Sequence, residues 1–343
     1  MASSITHRFV DVNGVRLHIA EQGQGPLVLL LHGWPESWYS WRHQIGALAA
    51  AGYRVVAPDQ RGYARSDQPS DVGSYTLLHL VGDVIALIDE LGEEQAVLVG
   101  HDWGAPVAWT TAMLRPDKVR AVAGLSIPPI LPGGLVPPSI TRTQYGEGFY
   151  QVYFQQPGVA DAEFAKDIPT SLRRFLVGAS GDNPLGKEPR PLVVPEGLGL
   201  LDTMPESPEL PAWLTEEDIQ VYADDFALHG EQAFTGAFNW YRNIERNNEL
   251  LAPFRGRGID VPALYVVGDR DMVTTLRGPD GLSVGDLLRG AGGPGNPMSA
   301  VAPQMRAPVV LPGCGHWTQQ ERPTEVNTAL LDFLTGLDAP ATR

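Results

Sequence analysis

Ala96-Val97-Leu98-Val99-Gly100-His101-Asp102-Trp103-Gly104 runs into a helix-compatible stretch, Ala105 to Leu114. The segment reads as a strand, a tight turn and a helix. Small residues at Gly100 and Gly104 permit a sharp elbow that lifts the central side chain above a sheet. That side chain is the carboxylate of Asp102. Aspartate is also a favoured helix N-cap, so the segment alone leaves two readings open, and the rest of the chain has to decide between them.

Working outward, short apolar runs recur at Leu27 to Leu31, Arg54 to Ala57, Val119 to Leu125, Ala263 to Val267 and Pro308 to Leu311. Continuous apolar runs of this length suit strands buried on both faces, as in parallel sheets. Helical patterns, such as Thr76 to Leu91 and Thr324 to Leu337, alternate with them. The alternation predicts an α/β protein with a mostly parallel, doubly wound sheet. Asn13-Gly14 within Val10 to Ala20 signals an antiparallel hairpin at the start.

The rhythm stops near Ile127-Pro128-Pro129 and resumes near Val261. Between them lie aromatic helical patches, Tyr145 to Gln156 and Phe226 to Arg246, and a Pro/Gly-rich stretch, Asp182 to Pro211. This predicts a helical cap, residues 129–255, inserted after the sixth strand of a core formed by residues 1–128 and 256–343. A cap there covers the C-terminal edge of the sheet, where ligands bind in open α/β folds. A second irregular stretch, Leu276 to Ala302, predicts a surface loop with one short helix around Val284 to Leu288. It contains a G-x-S-x-G match at Gly281 to Gly285 and a G-x-G-x-x-G match at Gly290 to Gly295. Neither follows the apolar strand that gives such motifs their meaning, so both read as accidents of composition.

Three further pieces bear on Asp102. Leu30-Leu31-His32-Gly33-Trp34-Pro35 follows one strand, and two acids, Asp269 and Asp271, follow another. Gly313-Cys314-Gly315-His316-Trp317 follows the last. Nucleophile, acid and histidine in that order, each at a strand's end, match the α/β-hydrolase arrangement. Asp271 is the expected orienting acid and His316 the expected base. The backbone N–H groups of Trp34 and Trp103 are the expected oxyanion hole.

The carboxylate narrows the chemistry. A serine attacking a saturated carbon would leave an ether that a histidine-activated water could not easily cleave. A carboxylate leaves an ester, which water can hydrolyse. Asp102 at the elbow therefore points to displacement at an alkyl carbon, in an epoxide or an alkyl halide.

The bulk numbers agree with a globular enzyme. Apolar residues make up 43% of the 343 and charged residues 19%. A net charge of −15 argues against a nucleic-acid partner. The single cysteine, Cys314, excludes an intrachain disulfide. Neither a signal-peptide pattern nor a membrane-length apolar stretch is present, which predicts a cytoplasmic protein. The chemistry calls for no metal and no cofactor. Oligomeric state is open, a homodimer included.

At this point the chain resembles the soluble epoxide hydrolases. The resemblance is carried by His32 to Arg42 (HGWPESWYSWR), Asp59-Gln60-Arg61-Gly62-Tyr63 and Gly100 to Gly104, and by the cap segments Tyr150 to Gln155 and Asn239 to Asn243. Gly313 to Trp317 and Gln319-Gln320-Glu321 complete it. It covers nearly the whole chain and departs at Leu276 to Ala302, which is longer than the family usually has. The resemblance implies hydrolysis of a small apolar epoxide to a vicinal diol, with two cap tyrosines, Tyr150 and Tyr241, activating the epoxide oxygen. Tyrosine ordinarily titrates near 10, so it stays protonated at neutral pH yet can protonate an alkoxide. Tyr153 reads as a packed aromatic. His32, Pro35, Gln151, Phe154 and Trp240 are expected to contact substrate. The nearest rival is a haloalkane dehalogenase with the same nucleophile. Fluoroacetate-type dehalogenases typically place Arg where this chain has Trp103. A non-catalytic ligand receptor is a third reading, disfavoured by the intact Asp102, Asp271 and His316.

Overall fold

The computed structural model describes residues 4–129, 136–206, 208–278, 281–290 and 297–338. Its centre is an eight-stranded sheet in the order β1-β2-β4-β3-β5-β6-β7-β8. The strands are β1 (Thr6–Val12), β2 (Val15–Gln22), β3 (Leu27–Leu31), β4 (Arg54–Pro58), β5 (Ala96–His101), β6 (Val119–Leu125), β7 (Ala263–Gly268) and β8 (Val309–Leu311). β1 and β2 pair antiparallel, as do β2 and β4, and every other pairing is parallel. Asn13 and Gly14 both take positive φ (47° and 77°), as a two-residue type I′ hairpin requires.

Side-chain alternation explains why the strand runs are apolar throughout. Leu27, Leu29 and Leu31 belong to one core cluster and Val28 and Leu30 to the other, on opposite faces of the sheet. Helices α1 (Arg42–Ala50) and α14 (Pro323–Asp338) cover one face through Ile45, Leu48, Leu330 and Phe333. Helices α2 (Leu77–Glu90) and α3 (Gly104–Leu114) cover the other through Leu80, Val84, Val107 and Ala108. Thr76 caps α2, its side chain accepting from His79 N–H.

Among the described residues, seven helices lie between β6 and β7. They are α4 (Pro138–Tyr145), α5 (Tyr150–Tyr153), α6 (Val159–Ala165), α7 (Ile168–Gly178), α8 (Glu216–Ala227), α9 (Thr235–Arg242) and α10 (Ile244–Leu250). The Tyr145 to Gln156 patch is not one helix. Gly146, at φ 90°, ends α4, and α5 is a single turn. The Phe226 to Arg246 patch is likewise broken, with Gly230 at φ 57° between α8 and α9.

The insertion is anchored to the sheet side by polar contacts. Trp240 Nε1 donates to the Arg61 carbonyl (3.1 Å), Leu77 N–H to Asn247 Oδ1 (2.8 Å) and Tyr39 Oη to Asp218 Oδ1 (3.0 Å).

After β7 come α11 (Val284–Arg289), α12 (Pro297–Val301) and α13 (Thr318–Glu321). The described residues of the irregular 276–302 stretch thus carry two short helices, one more than its pattern suggested. Ser283, the centre of the G-x-S-x-G match, caps α11 by accepting from Asp286 N–H. The G-x-G-x-x-G match beyond Gly290 lies outside the described residues. No helix among the described residues is long and apolar enough to cross a membrane.

Candidate active site

The elbow is built as its sequence predicts. β5 ends at His101, α3 begins at Gly104, and Asp102 sits between them in the left-handed region, at φ 48°. A non-glycine residue held there stores roughly 1–3 kcal/mol of backbone strain, which the surrounding packing must offset. That packing leaves no room for side chains at its base. A methyl group on Gly100 would run into the Gly104 carbonyl, and one on Gly104 into the Leu31 carbonyl.

Asp102 is buried and lies among the other predicted groups. Trp34 N–H donates to its Oδ1 (2.8 Å). His316 Nε2 lies 3.4 Å from its Oδ2. On the other side of the ring, His316 Nδ1 is 3.0 Å from Asp271 Oδ1. Asp271 is fully buried and also accepts from Val273 N–H (2.9 Å). Asp269, two residues earlier, is exposed and accepts from Gly313 N–H instead. Trp103 is the N-cap residue of α3, at the helix end where backbone amides lack intrahelical partners.

Burial alone would lower the His316 pKa. The carboxylates of Asp271 and Asp102 reverse this and hold it well above the ordinary imidazole value. Asp271 is the counterpart: burial raises its carboxyl, but the His316 ring and the Ser126 hydroxyl hold it below the usual range.

Ser126, unremarked in the sequence, completes this cluster. It follows β6 at φ 71°, and its Oγ donates to Asp271 Oδ2 (2.5 Å) while lying 2.9 Å from His316 Nδ1. The only available signal was its place at a strand's C-terminal end beside β7. A second unpredicted layer lies beneath. Glu36, fully buried, accepts from Gly33 N–H, Gln319 and Gln320, and its Oε2 lies 2.8 Å from His101 Nδ1. His101 Nε2 in turn donates to the His316 carbonyl (2.7 Å). Glu321 accepts from the Gly315 and Trp317 amides and so shapes the loop that presents His316.

Tyr150, at the start of α5, and Tyr241, in α9, face one another with ring centroids 6.1 Å apart. The two helices are tied by Gln155 Nε2, which donates to the Tyr241 carbonyl (3.0 Å). Burial, followed by the Asp102 charge, pushes both hydroxyl pKa values well up. Gln151 Nε2 donates to Tyr150 Oη (3.0 Å). Tyr153 turns elsewhere and bonds Glu163.

Two cavity arms meet at Asp102, Tyr150 and Tyr241, a long one of about 290 Å³ and a short one of about 20 Å³. Gln151 lines the long arm. His32, Pro35, Phe154 and Trp240 line neither, which corrects the expectation that they contact substrate. They form the layer behind the wall. His32 is fully buried, with Gln60 N–H donating to its Nε2 (3.0 Å) and its Nδ1 2.9 Å from the Gly33 carbonyl. Phe154 packs against Trp34 and Phe238. Trp240 packs edge-on to Trp103. Among the described residues there is no cluster of three or more potential metal ligands.

Comparison with known proteins agrees with this architecture. The family model of the α/β-hydrolase fold matches residues 26–323. Epoxide hydrolase A of Mycobacterium tuberculosis is 44% identical over 337 residues, covering 97% of this chain and 98% of that one. Epoxide hydrolase 2 of Siraitia grosvenorii is 41% identical, covering 96% and 98%. Among solved structures, an epoxide hydrolase from an endophytic Streptomyces superposes with a TM-score of 0.86 at 45% identity, covering 97% and 96%. The Vigna radiata enzyme VrEH1 gives a TM-score of 0.84 at 39% identity, covering 97% and 98%. With identities this high over nearly its whole length, the chain is a member of the epoxide hydrolase family of α/β hydrolases.

Proposed function

We propose that the chain hydrolyses epoxides to vicinal diols through an ester on Asp102. One observation carries the reading: the Asp102 carboxylate and the hydroxyl-bearing rings of Tyr150 and Tyr241 line the same cavity, with the His316–Asp271 pair beside it. Residues 129–255 act in this reading as a cap domain that brings the tyrosines to the core, residues 1–128 and 256–343.

Asp102 Oδ1 is held by an amide, so Oδ2 is the attacking oxygen. As the carbon–oxygen bond of the epoxide breaks, the electron pair moves onto oxygen, which receives a proton from Tyr150 or Tyr241. The other tyrosine keeps a hydrogen bond to it. The resulting tyrosinate recovers its proton from water. His316 then takes a proton from a water molecule whose oxygen attacks the Asp102 carbonyl carbon. The Trp34 and Trp103 amides hold the oxyanion. Collapse expels the diol oxygen, which is protonated by His316, and leaves Asp102 as its acid; that proton passes to solvent, neutralises the hydroxide left when the tyrosinate was reprotonated, and so regenerates the carboxylate. Asp271 and Ser126 orient the imidazole throughout.

The charge arrangement also orders the two steps. In the free enzyme both carboxylates favour protonated His316. Forming the ester removes the Asp102 charge, so the imidazole gives up its proton more readily at the moment a base is needed. This is favourable for an alkyl-ester mechanism, because alkylation itself needs no base.

The reading is tested by measuring turnover of styrene oxide, stilbene oxide and a fatty-acid epoxide beside a few haloalkanes. Diol formation with inert haloalkanes supports it. Halide release without diol formation would make the chain a dehalogenase, and binding without turnover a receptor.

A further inference from the structure

The two cavity arms are very unequal, and their walls come from different parts of the chain. The long arm leaves the Asp102–Tyr150–Tyr241 junction and is walled in part by Leu282, Val284, Leu287 and Val301. All of these belong to the connection between β7 and β8. The short arm is closed by Phe175, Leu192 and Met272, and His316 opens into it. Its volume of about 20 Å³ is room for about one water.

Building on the epoxide reading, we infer that the preferred substrates are terminal epoxides carrying a single extended apolar substituent. The substituent lies in the long arm, walled in part by the β7–β8 connection. The unsubstituted side of the ring faces the short arm. His316 must find a water molecule to hydrolyse the ester, and the short arm is the space in which it can. An alkyl group placed there would displace that water as well as clash with Leu192 and Phe175. An internal epoxide with chains on both carbons therefore fits neither the binding step nor the hydrolytic one. The long arm, by contrast, gains affinity with each methylene it buries.

The test uses two isomers of equal apolar content, 1,2-epoxyoctane and trans-4,5-epoxyoctane, with kcat/KM measured for each. The terminal isomer is expected to be favoured by at least about tenfold, the discrimination that one misfitting small group gives in an apolar pocket. Leu192→Ala, and separately Met272→Ala, enlarge the short arm and should shrink that ratio at least several-fold by improving the internal isomer. Leu287→Trp shortens the long arm and should lower the preference for 1,2-epoxyoctane over epoxypropane by a similar factor. Comparable kcat/KM for the two octane epoxides, or a ratio that neither short-arm variant moves, would overturn the inference while leaving the epoxide reading intact. Absence of turnover with every epoxide would overturn both.

Discussion

Replacing Tyr150 and Tyr241 with Phe, singly and together, probes ring opening and little else. Each change deletes one oxygen and leaves the ring in place. Tyr241 keeps its edge-on contacts with Trp103, at 5.1 Å between centroids, and with Phe154, at 4.9 Å. Tyr150 keeps its contact with Phe154, at 5.8 Å. The fold loses the bond from Gln151 to Tyr150 Oη and the side-chain hydrogen bond between Trp103 and Tyr241, each worth about 1 kcal/mol. Ring opening loses much more. A donor removed from a preorganised, water-excluded oxyanion site costs about 3 kcal/mol, or about two orders of magnitude in rate. The partner tyrosine partly compensates, so each single variant should alkylate up to about a hundredfold slower. In the double variant Asp102 must expel a bare alkoxide, and alkylation should fall by about four orders of magnitude or more, two donors being lost. In the proposed mechanism ester hydrolysis runs through His316, so it should change little. Pre-steady-state rates of alkylation and hydrolysis for the three variants separate the steps. Wild-type alkylation in the double variant would refute the role of the pair and remove the main support for an epoxide over a halide.

His316→Gln should trap the ester, because alkylation needs no base. Mass spectrometry should show substrate mass on the peptide bearing Asp102, and an unmodified peptide despite binding would contradict the assignment. Asp271→Ala should reduce turnover far more than Asp269→Ala, since only Asp271 meets the His316 ring. The reverse order would exchange their roles. Hydrolysis of the ester should speed up as pH rises through the titration of the imidazole, because the base must be neutral. Its apparent pKa should lie below that of His316 in the free enzyme, where the Asp102 charge adds to the rise. Hydrolysis that slows as pH rises through that titration would argue against His316 as base.

The sheet was legible because burial on both faces writes an uninterrupted apolar run, and the run at Leu27 to Leu31 coincides with β3. The elbow was legible because close packing at Gly100 and Gly104 excludes any side chain. The insertion was read less well. Aromatic spacing carries a helix across Tyr145 to Gln156, but Gly146 at positive φ stops it, and a local pattern does not show which glycine will bend. Ser126 left little beyond its place at a strand's end, because its partners Asp271 and His316 lie 145 and 190 residues away. The same distance problem hid which aromatics face the cavity. Trp240 and Phe154 pack as well behind the wall as they would on it, and only the assembled layers distinguish the two.

The covalent role of Asp102 is tested most directly by a single turnover in oxygen-18 water, with enzyme in excess over substrate. If Asp102 Oδ2 attacks the epoxide carbon, the new diol oxygen comes from the carboxylate and the label from water enters Asp102. Mass spectrometry should then find unlabelled first-turnover diol and one oxygen-18 on the peptide bearing Asp102. Labelled diol from that first turnover, with an unlabelled peptide, would mean that water attacks the epoxide directly and that Asp102 is not the nucleophile.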